Sequence, residues 1–126
     1  MNIAIAALMP HPPILVPAVG RERLADVNAS LAAMREISRE ILATQPETIV
    51  LISPHSPRSP FAFGVWDCEE LRGTFAPFNA PDECVVLPVD SQFVQALAKA
   101  GPRAGVQISG IPAGLWTTEL LCRSGF

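Results

Sequence analysis

The chain has little of what several large classes of protein require. It contains 126 residues, carries a formal net charge of −3 and has no run of basic residues, which makes nucleic acid and anionic membranes poor partners. No apolar stretch approaches the roughly 20 residues that cross a bilayer. The start, Met1-Asn2-Ile3, lacks the positive region of a signal peptide, and no glycine-rich phosphate loop is present. We therefore expect a cytoplasmic protein that binds neither nucleic acid nor membrane.

Cysteine is scarce as well. The three residues Cys68, Cys84 and Cys122 show no C-x-x-C spacing and leave one thiol over. This pattern favours reduced thiols in a reducing compartment over a disulfide framework. Cys68 and Cys84 are candidate soft ligands for a metal, although inert thiols are the more common interpretation of such residues.

The chain does contain enough apolar sequence for one packed domain over residues 1–126. Hydrophobic residues make up 49% of it, which argues against general disorder. Two apolar runs, Asn2–Leu8 and Thr48–Ser53, predict β-strands, and the second is apolar on both faces, as in a parallel sheet. Between them, apolar residues recur every three or four positions over Arg21–Thr44, which predicts an amphipathic helix. Pro46 ends it.

Shorter elements are predicted in the second half. Strands are expected over 61–66, 83–89 and 106–108. Breaker residues predict a loop over 71–81, and Pro88 places its strand at a sheet edge or end. A short helix should be capped by Asp90 or Ser91 and ended by Gly101. Because a strand–helix–strand unit winds right-handed with parallel strands, the predicted fold class is α/β, with a largely parallel central sheet and flanking helices.

The two histidines of the chain follow the two strongest predicted strands. His11 lies in Met9-Pro10-His11-Pro12-Pro13 and His55 in Ser53-Pro54-His55-Ser56. The carboxyl ends of parallel strands meet at one sheet edge, where open α/β folds place ligand sites. Two imidazoles converging there predict a metal or acid–base centre. The alternative is that each imidazole only hydrogen-bonds loop carbonyls.

Two histidines do not complete a metal site. A non-haem Fe(II) centre of the oxygenase type also needs a carboxylate, with open positions for oxygen and substrate. Five acidic residues are candidates without a defensible ligand spacing: Asp67, Glu69, Glu70, Asp82 and Glu83. A solvated surface position is the better interpretation of each. The residues alone therefore assign neither a third ligand nor a catalytic group.

The histidine segments together resemble the catalytic-subunit family of class III extradiol ring-cleavage dioxygenases. The nearest branch is that of AmmeMemoRadiSam system protein A and Memo-like proteins. The resemblance rests on Ala7–Gly20 and Glu47–Ser56, with support from Gly73–Phe78 and Glu83–Ala100. It covers the chain from its start to about Leu115.

This resemblance implies an α/β fold in which His11 and His55 ligate non-haem Fe(II), with zinc or another divalent metal as the alternative. In the dioxygenase members it implies extradiol cleavage of a catecholic substrate with O2, in aromatic compound catabolism. The family's glutamate ligand and acid–base histidine belong to a second half that has no match here, which implies an incomplete, inactive domain. Two alternatives are a Memo-like metal-binding protein without ring cleavage and a zinc hydrolase-like site.

The tail departs from the family pattern. Where the resemblance implies Leu-Leu-Asp-His-Gly, the chain has Leu115-Trp116-Thr117-Thr118-Glu119. Joining the last base of each codon to the first two of the next turns Trp-Thr into Asp, which the genetic code forces. The next two junctions permit His and Gly. We therefore expect residues 116–126 to be a frame-shifted tail of a truncated domain. A divergent native tail is the alternative.

Overall fold

The computed structural model describes residues 2–55 and 59–112, and its fold is α/β. Two compact units are present. The first contains Met1–Ile49 and Thr74–Glu83, and the second contains Val50–Gly73 and Cys84–Phe126. The expected frame-shifted tail lies outside the described residues. The assignment of residues 1–126 to one domain stays a prediction.

Helical structure dominates the first unit and confirms most of the predicted helix. A short helix α1 (Pro17–Gly20) leads into a 3₁₀ segment (Arg21–Val27), and helix α2 follows (Asn28–Ala43). The residue before a proline avoids the α region, and here Gln45 takes a positive φ of 49°. The helix therefore ends just ahead of Pro46, as expected. No helix in the described part of the chain is long and apolar enough to cross a membrane.

A parallel strand pair lies in the second unit. Strand β1 (Phe63–Asp67) pairs with strand β4 (Ile108–Pro112), in a register that places Phe63 opposite Ile108. The strands predicted over 61–66 and 106–108 are thus confirmed in kind, with bounds shifted toward the C-terminus. The side chain of Ile111 is buried. Parallel pairing is therefore present, between strands other than the two apolar runs.

The loop predicted over 71–81 is wrong, because this region forms a hairpin. Strand β2 (Glu70–Phe75) pairs with strand β3 (Ala80–Pro88). The breaker residues are confined to a tight connection, a 3₁₀ turn followed by Asn79 at a φ of 60°. Asparagine tolerates this left-handed conformation, so the chain reverses within a few residues. Strand β3 ends at Pro88, as its sequence predicts.

Helix α3 (Ser91–Ala100) confirms the predicted short helix and its cap. The Asp90 side chain accepts a hydrogen bond of 2.8 Å from the backbone N–H of Phe93. Gly101 is the C-cap residue, but its φ of −50° is right-handed. The chain continues into a 3₁₀ turn, and the left-handed glycine is Gly105, at a φ of 73°.

Neither of the two predicted N-terminal strands is present. Asn2–Leu8 and Thr48–Ser53 carry no strand structure, and their apolar side chains are largely exposed, to 89% for Ile3 and 89% for Ile52. A run that is apolar on both faces becomes a strand only where neighbouring strands and covering layers surround it. Each sheet in the described part of the chain has two strands and includes neither run.

Candidate functional site

A stiff, proline-rich backbone follows His11 in the first unit. Pro12 is extended, with a ψ of 140°, and the next three residues form a 3₁₀ turn. The backbone N–H of Leu15 donates to the carbonyl of Pro12 at 3.0 Å, and the Leu15 side chain is buried. Since proline fixes its own φ, the segment after His11 has few alternative conformations. His11 itself is exposed.

The same segment is closed by a glycine at the end of α1. The backbone N–H of Gly20 donates to the carbonyl of Val16 at 2.8 Å. A Cβ at position 20 would collide with the backbone carbonyl of Ile14 and would lie 3.1 Å from Cδ1 of Leu24. The histidine loop thus returns tightly against the start of the helical region.

His11 lines a pocket of about 210 Å³ in the first unit. The other lining residues are apolar: the three prolines that flank His11, together with Leu15, Val16, Met34 and Phe75. Met34 comes from α2 and Phe75 from the end of β2. The ring of Phe75 is packed at a tilt against that of Phe78, with centroids 6.1 Å apart. The arrangement is an apolar recess with a single imidazole among its lining side chains.

His55 lies in the second unit, directly after the apolar run that ends at Ser53. Its backbone N–H donates to Oγ of Ser53 at 3.2 Å, and the residue is exposed. Residues 56–58 lie outside the described part of the chain. Because His11 and His55 fall in different units, their expected position in one cleft stays a prediction.

The candidate carboxylates are exposed, as their sequence context predicts: Asp67, Glu69, Glu70, Asp82 and Glu83. The Glu70 carboxylate is held by Arg72, whose Nε donates to it at 2.7 Å. Within residues 2–55 and 59–112, no three His, Cys, Asp or Glu side chains come together as a possible metal site. A complete set of metal ligands is therefore not found in this part of the chain.

The cysteines differ from each other. Cys68 is a free thiol, whereas Cys84 is disulfide-bonded. The expectation of reduced thiols is therefore wrong for Cys84, which is also not available as a soft metal ligand. Sequence spacing could not show this, because a disulfide depends on the distance between two cysteines in the fold.

Two residues of the pocket, Met34 and Phe75, are not predicted as functional from the sequence. The pattern assigns Met34 to the apolar face of a helix, which is correct, and it assigns Phe75 to a loop. The signal for Phe75 is weak because strand β2 contains Gly73 and precedes Pro77, and both residues are typical of turns. Only the hairpin places this ring beside the histidine loop.

Comparison with known proteins agrees with these motifs. The family model described as "Catalytic LigB subunit of aromatic ring-opening dioxygenase" matches residues 5–111, a range that contains both histidines. The chain is also 28% identical over 90 residues to protein CA_C1420 of Clostridium acetobutylicum. That match covers 71% of this chain and 19% of the relative, so the chain spans about a fifth of the relative's length. No solved structure matches. The chain belongs to the family of the catalytic LigB subunit of aromatic ring-opening dioxygenases.

Proposed function

We propose that this chain is the N-terminal part of a non-haem Fe(II)-dependent extradiol dioxygenase that cleaves a catecholic ring with O2. The observation that carries the proposal is the family match over residues 5–111, which includes His11 and His55. In this proposal the two imidazoles are two of the metal ligands. Imidazole suits divalent iron and zinc alike, and the resemblance favours iron.

The metal would bring the catecholate and O2 side by side and ease electron flow between them. The contribution of this chain is positional. The proline segment after His11 limits the conformations of its backbone, and the apolar pocket beside it keeps a low-polarity surface at that side of the imidazole. We assign no acid–base group, since none is identified in the described residues.

We further propose that the chain is inactive on its own. Its described residues do not assemble three potential ligands, and two imidazoles leave at least half of the coordination positions of a divalent metal to water. A second candidate, which the resemblance also implies, is a Memo-like metal-binding protein that does not cleave rings. Location in the cytoplasm also stays a proposal.

Metal binding tests the ligand assignment. The purified chain should bind Fe(II) or Zn(II) weakly under anaerobic conditions, and the His11→Ala/His55→Ala double variant should lose that binding while its circular dichroism is unchanged. Arg72→Ala, far from either motif in sequence, is the control. Equal metal content in the parent and the double variant would show that the histidines are not ligands.

Restoring the expected reading frame separates the two candidates. The product to test is encoded by a gene in which Leu-Asp-His-Gly replaces Trp116, Thr117, Thr118 and Glu119 and the same reading frame continues beyond them. Catechol-dependent oxygen uptake by that product supports the dioxygenase. Tight metal binding without oxygen uptake supports the Memo-like protein instead.

A further inference from the structure

The lining and volume of the pocket beside His11 indicate which kind of ring could bind there. Its lining has one polar side chain, the imidazole, and otherwise aliphatic, aromatic, thioether and proline groups. Leu15 in its wall is buried, and Met34 and Phe75 are half-buried. Three separate segments supply these residues, namely the histidine loop, helix α2 and the end of strand β2.

The volume of this recess, which is open to solvent, indicates the size of the group that it can enclose. An apolar cavity of about 150 Å³ in another protein accommodates benzene, and the pocket here measures about 210 Å³. One aromatic ring with a small substituent therefore fits. Two linked or fused rings with further substituents would extend beyond the recess, since drug-sized ligands occupy sites of about 300 Å³ or more.

The lack of charged side chains in the lining determines which substituent on a bound ring is favoured. Among residues 2–55 and 59–112, no Lys, Arg, Asp or Glu side chain lines the pocket. Apart from the metal that His11 is proposed to hold, a carboxylate placed there would meet no cationic side chain, and desolvating an unpaired charge is unfavourable. Arg35 directly follows Met34 in sequence but does not line the pocket, and Arg21 and Arg23 line a separate recess at the start of the 3₁₀ segment.

We propose that this pocket binds the ring of a monocyclic aromatic substrate that carries a small uncharged alkyl group, in preference to a carboxylated ring. The inference rests on the proposed function, because it takes His11 as the group beside which the reacting ring lies. It identifies alkyl-substituted catechols as the substrate class.

Ring binding is tested on the intact chain without metal. The three methionines (Met1, Met9 and Met34) can be labelled with ¹³C-methyl groups and followed by NMR. Toluene should shift the Met34 methyl signal saturably, and benzoate at the same concentration should not. Benzoate that binds as tightly as toluene, or a Met34 signal that does not respond to toluene, would overturn the inference.

Variants locate the binding site. Val16→Phe places a ring in the pocket and should weaken toluene binding by about tenfold or more, equivalent to about 1.4 kcal/mol. Phe75→Ala enlarges the pocket and should shift preference from toluene toward butylbenzene, which gives a second readout if Val16→Phe misfolds. Phe61→Ala is the control, since Phe61 is exposed and is not among the residues that line the pocket. Equal toluene affinity in all three variants would refute the site.

The result is separable from the proposed function because no metal or oxygen is used. Toluene binding at Met34 together with normal metal content in the His11→Ala/His55→Ala double variant would leave the pocket valid and refute the metal site. Metal binding that depends on both histidines, together with no toluene response, would refute the pocket alone.

Discussion

The backbone carbonyl of Ile14 lies against Gly20 so closely that a Cβ at position 20 would overlap its oxygen. The Ile14 oxygen belongs to the backbone, so it cannot move aside as the end of a flexible side chain could. The contact joins the segment that follows His11 to the first turn of the helical region. The conformation of the histidine loop thus depends on a residue nine positions away that has no chemistry of its own.

Replacing Gly20 with alanine should destabilise the chain. Overpacking of this kind costs about 1–3 kcal/mol, and urea unfolding followed by circular dichroism measures it. Gly73→Ala is the matched control, because a Cβ there would lie 3.5 Å from Cγ1 of Val85, an ordinary contact. An equal loss of stability in the two variants would contradict the steric explanation.

The cap of α3 gives a second prediction. Asp90→Ala removes the acceptor of the bond from the Phe93 N–H and should cost about 0.5–2 kcal/mol. Asp90→Asn retains an acceptor oxygen and should cost much less. The comparison requires only the unfolding free energies of the two variants, and the idea fails if Asn and Ala are equally harmful.

Substitution of Gly105 measures the cost of backbone strain at a position where an added Cβ would meet no other atom. Its φ is 73°, and nothing lies within 4 Å of the position a Cβ would occupy. Gly105→Ala should therefore cost about 1–2 kcal/mol through conformation alone. Gly105→Asn should recover part of this, since asparagine enters the left-handed region more easily. Thermal unfolding of both variants distinguishes strain from lost contacts.

The Cys68 thiol should lose its proton at a higher pH than an ordinary thiol, because its pKa is raised. Burial raises its pKa most, the hydrogen bond with the Glu70 backbone offsets part of that rise, and the nearby carboxylates of Asp67 and Glu70 raise the pKa further. The folded chain therefore holds this proton more firmly than the unfolded chain does. The resulting stability is complete below the pKa of the unfolded thiol and is lost as pH rises through the folded value.

Alkylation measures this pH response directly, because only the thiolate reacts. The rate of iodoacetamide labelling at Cys68, read by peptide mass spectrometry, should reach half its maximum at a higher pH in the folded chain than in urea. Coincident curves would show that folding does not protect the proton.

Local signals predict the helices well. Helix α2 follows from its apolar periodicity and ends ahead of Pro46, and the cap of α3 follows from Asp90, because periodicity and capping are properties of adjacent residues. The strands are harder to predict. The apolar run Thr48–Ser53 indicates burial, yet it is exposed and forms no strand, since strand formation depends on partners distant in sequence.

The candidate site likewise has one part that local sequence predicts and one part that it does not. The two histidine motifs can be found in the sequence because proline and histidine occur together in short segments. The pocket cannot be found in the sequence, since only the hairpin of β2 and β3 brings Phe75 to it. The breaker residues Pro77 and Asn79 predict a loop at this position instead of that hairpin. Whether the two imidazoles meet depends on the relation between two units, which no local pattern encodes.

The pairing of β1 with β4 also has a kinetic consequence. Phe63 is opposite Ile108, so a long loop must close before the first hydrogen bond of this ladder forms. The hairpin of β2 and β3 closes across only a few residues. Because closure entropy grows with loop length and non-local contacts slow folding, the hairpin should form early and the parallel pair late. During synthesis, β1 would then leave the ribosome well before its partner, and its edge would stay open to other chains for that interval.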